Sequence, residues 1–433
     1  MNNNDLGTQL VNILYSNTSL NYDSCALNLI KVLQDSIQDS ESNPDFHNLN
    51  KYFQFFDDLN DQLQSGETNF YECKNKILKY LKCAKKIIKN QSDPSIFSNY
   101  LASKRHSFTN IYEVWRLSTD SLIKNYIIEF IYTCFHSDVF LVEYLYRNTN
   151  LVSELFFALT EKNKIRDFPS IVRILICLSY FLCNITSDLS NQVTENIKRS
   201  QILESLFDLL ESNEEFIYQK ISSINTDSDL FKLSLNTLEE NDEIYLIDLI
   251  IIFTLSLNSK FSLPEQNVLV KFLLKNEEND MIRDYKILSE KMVYFLNLDD
   301  DPIVKYKVIL TKINSEVNKE TFYVNSVLKF MSDIFSDVKT KESTGIFYQN
   351  DFRILIEIII RKLSNLSAND QVRSDYLSLI QLVIKNSNYV ENLYRIDDLL
   401  ECFNSILNEK DQYTIDQDIV RVILTETPEL LKN

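Results

Sequence analysis

Apolar residues recur along this chain at helical spacing almost from end to end. Between 168 and 187, Ile171, Ile174, Leu175, Leu178, Phe181 and Leu182 follow the i, i+3, i+4, i+7 rule of an amphipathic helix. The segments 243–258, 281–297, 321–338, 351–366, 372–386 and 390–408 repeat the pattern. No stretch of strict alternation bounded by turn signals occurs, so strands are not expected. The apolar faces are wide, as befits helices covered on more than one side. Before residue 105 the pattern changes to shorter amphipathic stretches, 6–16, 25–38, 46–64 and 69–90, separated by polar loops such as Asp39-Ser40-Glu41-Ser42-Asn43.

Several apolar helices end alike: Leu182-Cys183-Asn184, Leu255-Ser256-Leu257-Asn258, Phe295-Leu296-Asn297 and Leu363-Ser364-Asn365. An apolar helix closing on Leu-x-Asn resembles the third helix of an armadillo repeat. The asparagines lie 74, 39 and 68 residues apart, and the first two intervals suit one or two repeats of roughly 40 residues. A repeat unit of this kind cannot bury its apolar face alone, so neighbours stack to close a continuous core. The expected fold is therefore all-α, an armadillo/HEAT-like helical solenoid over 106–433 with an N-terminal helical region or cap over 1–105.

Composition narrows the function. The 433 residues include 3 glycines, where average usage of about 7% would supply roughly 30. Too few positions remain for hairpins, a P-loop or a dinucleotide fingerprint. The prolines punctuate helix starts, as in Asp93-Pro94, Asp301-Pro302 and Thr427-Pro428. A net charge of −18 disfavours phosphate backbones, which are bound through lysine and arginine, so no nucleic-acid partner is expected. The same reasoning disfavours an anionic membrane surface, and the apolar runs 244–256 and 354–360 are too short or too interrupted to insert in a bilayer. Seven scattered cysteines and an N-terminus without a basic or apolar segment suit a reducing, cytoplasmic compartment.

Catalytic chemistry finds little support. His47, His106 and His136 lie far apart, and neither they nor the cysteines show metal-ligand spacing. A nucleophile elbow of the Gly-x-Ser-x-Gly type is absent. No enzyme, cofactor, metal or small-molecule substrate is expected. Asp299-Asp300-Asp301 reads as helix-capping chemistry before Pro302, and Asn350-Asp351 as the cap of a helix starting near Phe352. In 74–89, Lys79, Lys82, Lys86 and Lys89 share one helical face and Ile77, Leu81, Ala84 and Ile88 the opposite one, which reads first as a solvated outer side and second as a contact for an acidic partner or a membrane. Trp115 is expected in the core.

From about 240 to 410 the order of features resembles the leucine-rich domain of the Dip/Ldb/SPIN family, WASP-independent activators of the Arp2/3 complex, and a fungal member of it is expected. The matching pieces are Val293-Tyr294-Phe295-Leu296-Asn297, Asp299-Asp300-Asp301-Pro302 and the run from Val327 to Phe335. The sharpest piece runs from Phe347 through Tyr348-Gln349-Asn350-Asp351 to Arg361-Lys362-Leu363, and Arg373, Tyr376-Leu377 and Tyr389 continue it. Glu357 stands where the family pattern has aspartate, and Gln349 where it has threonine. The resemblance implies a regulator that binds the Arp2/3 complex, with a helix of one subunit in the solenoid groove, and acts on actin indirectly by nucleating linear seed filaments. It places the protein at cortical, endocytic actin patches. A generic armadillo adaptor in transport or vesicle tethering is the alternative. Arg353, Glu357 and Arg361 fall on one helical stripe and, with Lys329 and Arg373, are the candidate contact residues.

Overall fold

The computed structural model describes residues 44–90, 94–212, 215–221, 244–274, 285–299, 301–304, 325–336, 346–368, 370–409 and 414–431. The helices expected at 6–16 and 25–38, the residues 305–324 and the Asp93 cap lie outside these. Among the described residues the only β-type pairing is an isolated bridge between Lys220 and Tyr245. The fold is an all-α helical solenoid.

Chain packing defines two compact units, Met1–Thr149 and Asn150–Asn433. The first contains α1 (Pro44–Ser65), α2 (Phe70–Lys89), α3 (Pro94–Ser103), α4 (Arg105–Leu117), α5 (Ser121–Phe135) and α6 (Phe140–Asn148). Helix α1 packs on α4, and α2 on α5. Phe53 of α1 meets Phe108 of α4 with ring centroids 5.3 Å apart, and Phe108 stacks on Phe130 of α5 at 6.0 Å. Trp115 is buried as expected. A polar seam runs beside these rings, where Asp57 accepts from Ser107 Oγ at 2.9 Å and Asn110 Nδ2 at 2.8 Å. The boundary expected at 105/106 thus falls inside this unit. The aromatic face of α1 and the aliphatic face of α2 find their cover on α4 and α5, so a cut there would expose both.

The second unit contains α7 (Leu151–Lys164), α8 (Phe168–Asn184), α9 (Asn191–Ser200), α10 (Ile202–Leu210), α11 (Leu246–Asn258), α12 (Val268–Leu273), α13 (Lys286–Leu298), α14 (Ser326–Phe335), α15 (Gln349–Asn365), α16 (Gln371–Asn386), α17 (Tyr389–Asn392), α18 (Ile396–Leu407) and α19 (Ile415–Glu426). Its helices form two stacked rows. In one, α8, α11, α14, α16 and α19 pack each on the next; in the other, α13, α15 and α18 do the same. The rows join where α13 meets α14, α15 meets α16 and α18 meets α19. Helix α10 leads into the second row: its C-cap Glu211 accepts the Ile287 and Leu288 amides at the start of α13, at 2.9 and 3.1 Å.

Helix α11 shows why stacking is compulsory. All of its residues are buried, and such a helix has no side to offer water. Its few polar groups are satisfied internally. Thr254 and Ser256 bond back to the carbonyls of Ile250 and Ile252 at 2.8 and 2.7 Å. Asn258 donates to Asp333 of α14 at 2.9 Å and accepts from Asn267 at 2.7 Å. Asn267 in turn caps α12 through the Leu269 and Val270 amides.

The Leu-x-Asn endings are not equivalent. Asn184 and Asn258 close helices of the first row, whereas Asn297 and Asn365 close helices of the second. Asn258 is buried in the network just described, but Asn297 is exposed. The expected single repeat frame is therefore corrected: the intervals of 74, 39 and 68 residues mix two rows. Other starts also differ. Helix α15 begins at Gln349 with no side-chain cap, and Asp351 instead takes a hydrogen bond from Ser289 of α13. The segment expected as one helix over 390–408 breaks at Leu393 and Arg395, both with left-handed backbone (φ 45° and 53°). Asp301 does cap as expected, accepting from the Ile303 amide at 2.8 Å, and also holds Ser326 at the start of α14.

Two outcomes follow for stability. Arg373 of α16 is 2% exposed and donates to Asp416 of α19 at 2.6 Å and to both Glu409 oxygens at 2.6 and 2.8 Å. Removing it strands a buried carboxylate, so Arg373→Ala should cost about 3 kcal/mol in denaturant unfolding, against no measurable cost for Arg421→Ala on the exposed side of α19. In the first unit, burial pulls the pKa of His136 down to about 4. The folded state therefore binds this proton less readily than the unfolded state, whose value is about 6.5. This contribution is complete about a unit above pH 6.5 and drains as pH falls through 6.5 towards 4. Between pH 6.5 and 5 the wild type should lose about 1.6 kcal/mol more than His136→Gln, measured by paired urea titrations.

Candidate partner-binding face

Helix α15 sorts its residues by a strict helical rule. Leu355, Ile356, Ile358, Ile359, Ile360 and Leu363 are buried against α13, α16 and α18. That packing leaves Arg353, Glu357 and Arg361, spaced by one turn each, on the side away from the core. Arg353 and Arg361 are exposed and Glu357 half-buried between them.

Neighbouring elements hold these side chains in place. The guanidinium of Arg361 donates to Asn297 Oδ1 at the end of α13, at 2.8 Å. Tyr394, in the turn between α17 and α18, donates its hydroxyl to Glu357 Oε1 at 2.6 Å. The guanidinium of Arg353 lies over the Tyr394 ring, 5.4 Å from its centroid. The hydrogen bond to the Glu357 carboxylate pushes the Tyr394 pKa above its ordinary value, so this hydroxyl stays a donor. The left-handed Leu393 and Arg395 set the turn that delivers Tyr394 here.

Apolar side chains stand among these charges. Tyr294 (53% exposed) and Leu298 lie on α13, and Ile354 on α15. On the other flank, α18 presents Asp397 and Glu401. The second row of helices thus offers a face with arginines in the middle, carboxylates on one flank and apolar groups among them. Such a mixture suits an amphipathic partner.

The other two candidates stand elsewhere. Lys329 of α14 is half-buried and donates to Asp333 at 2.5 Å and to the Phe261 carbonyl at 2.9 Å, joining the Asn258–Asn267 network. Arg373 is the buried ion-pair centre described above. Both belong to the first row and serve packing. Sequence spacing alone did not point to Asn297 or Tyr394, because their approach to α15 depends on tertiary contacts across 64 and 37 residues. Among the described residues no group of three or more His, Cys, Asp or Glu is placed to hold a metal ion, and no helix is long and apolar enough to cross a membrane.

Comparison with known proteins bears on this face. Residues 200–399 match the family model for the SPIN90/Ldb17 leucine-rich domain, starting ahead of the 240 expected from the motifs. Two relatives are called Protein LDB17. The one from Eremothecium gossypii is 26% identical over 140 residues, 31% of this chain and 29% of its own length. The one from Saccharomyces cerevisiae is 37% identical over 71 residues, 16% of this chain and 14% of its own length. The chain therefore aligns with less than a third of either relative. The match to the SPIN90/Ldb17 leucine-rich domain runs from the end of α9 into α18 and takes in the Arg353–Glu357–Arg361 stripe.

Proposed function

We propose that this protein is a binding regulator of actin assembly that switches on the Arp2/3 complex without a WASP-type peptide or a preformed filament. The observation that carries this reading is the leucine-rich domain match, within which α15 holds an exposed, side-chain-braced charged stripe. The partner segment is a helix of one Arp2/3 subunit laid along the α13–α15–α18 face. Its apolar side would meet Tyr294, Leu298 and Ile354, its carboxylates Arg353 and Arg361, and its cations Asp397 and Glu401. Braced side chains lose less freedom on binding than free ones, which favours affinity.

Activation in this reading is a population shift. A scaffold with equal affinity for the inactive and active arrangements of the complex changes nothing. One that binds the active arrangement about 10⁴-fold more tightly carries it from 1:99 to 99:1. The site of action is cytoplasmic, at cortical actin patches, and no catalytic step by this chain is involved.

Pyrene-actin polymerisation with purified Arp2/3 complex, lacking WASP peptide and seed filaments, tests the reading. The wild-type chain should shorten the lag in proportion to its concentration. The double variant Arg353→Glu/Arg361→Glu should need about tenfold more protein for the same rate, about 1.4 kcal/mol of binding, at an unchanged Tm. No acceleration by the wild type would leave a general helical adaptor, in transport or vesicle tethering, as the reading that stands. Full activity in the double variant would move the contact off this face.

A further inference from the structure

Helix α2 is out of keeping with the rest of an acidic chain. It carries seven lysines and one carboxylate, Glu72, in a protein of net charge −18. Packing on α1 and α5 turns Ile77, Leu81, Ala84 and Ile88 inward. Two lysines are spent inside the unit: Lys85 is buried on Glu129 at 2.6 Å, and Lys74 reaches Asp120 at 2.5 Å. The same rotation of the helix leaves Lys76, Lys79, Lys82 and Lys86 exposed. Lys79, Lys82 and Lys86, at i, i+3 and i+7, make a row about 10 Å long. Lys82 leans on the Tyr126 ring, 5.2 Å from its centroid. Among the described residues Lys79 and Lys86 meet no carboxylate, and Glu72 is engaged by Asn69 at 2.7 Å. Tyr71, 91% exposed, stands three turns before Lys82 and so on the same side.

We propose that this face of α2 docks on an anionic lipid surface. Three features favour lipid over an acidic polypeptide. The cations are all lysines, compact point charges without the planar fork that matches a fixed carboxylate. Protein interfaces are enriched in arginine and depleted in lysine, whereas surface-bound helices carry lysine on the polar side and aromatic rings at headgroup level. Tyr71 supplies such a ring. The overall negative charge, which disfavours membranes when averaged over the chain, acts weakly here. Exposed charges beyond about 8 Å are largely screened at physiological ionic strength, and the row presents only cations within that reach along its helix. The proposal concerns the first unit and stands apart from the Arp2/3 reading.

Co-sedimentation of the full chain with vesicles tests it, using phosphatidylcholine alone and phosphatidylcholine mixed with phosphatidylserine. Binding should require phosphatidylserine and weaken steeply with added salt. The variant Lys79→Glu/Lys82→Glu/Lys86→Glu should lose partitioning by roughly a hundredfold, at about fivefold per lysine near the surface, with the circular dichroism spectrum and Tm of the wild type. Tyr71→Ser should weaken binding without changing its salt dependence. Equal sedimentation with both vesicle types, or by wild type and triple variant, overturns the proposal. So does retention on immobilised polyglutamate that needs the three lysines while vesicles are ignored, which would assign the face to an acidic protein.

Discussion

Helix α11 cannot exist in water by itself. Each of its residues is buried, and a helix apolar on every side gains stability only from the helices that enclose it. Helix α8 covers one flank, α14 the other, and α10, α12 and the short helical turn Glu215–Tyr218 close the remainder. The same demand passes to those helices in turn, so the two-row arrangement of the second unit follows from one uncovered surface after another. The buried Asn258–Asp333–Asn267–Lys329 network then fixes which helix meets which, since apolar surface is indifferent to register and hydrogen bonds are not.

The candidate binding face is a by-product of that packing. Because the aliphatic side of α15 is held against α13, α16 and α18, Arg353, Glu357 and Arg361 have one direction left. Asn297 and Tyr394 then restrict how far they move. A face prepared in this way differs from a set of loose surface charges, whose ordering would have to accompany binding. The left-handed residues at 393 and 395 stand behind Tyr394, and in a chain with three glycines such positions fall to side-chain-bearing residues at some cost in strain.

Much of the fold was legible because helical period is a local property. The ranges 168–187, 243–258, 351–366 and 372–386 came close to the helices found, and the opposed lysine and aliphatic sides of α2 followed from angle alone. What escaped depends on distant partners. Nothing near Arg373 says that Asp416, 43 residues on, will bury it. Nothing near Lys329 announces the Phe261 carbonyl. The Leu-x-Asn endings misled for a related reason: a motif records how a helix ends, not which row it joins. The break at 393–395 carries no glycine or proline to mark it. For the stripe itself, spacing placed Arg353, Glu357 and Arg361 together, while the groups that brace them needed the tertiary structure.

The order of packing has a further meaning for how the second unit comes apart. Each helix of the first row touches its neighbours in the row, so cohesion passes from one layer to the next and is not pooled in one centre. A molecule built this way frays. Helix α19 lies at the end of the row, and it is fastened by the Arg373 guanidinium shared between Asp416 and Glu409. That triad lies on the layer next to α15, which bears the stripe. The helix that carries Arg373 thus binds α19 on one side by an ion pair and packs on α15 on the other.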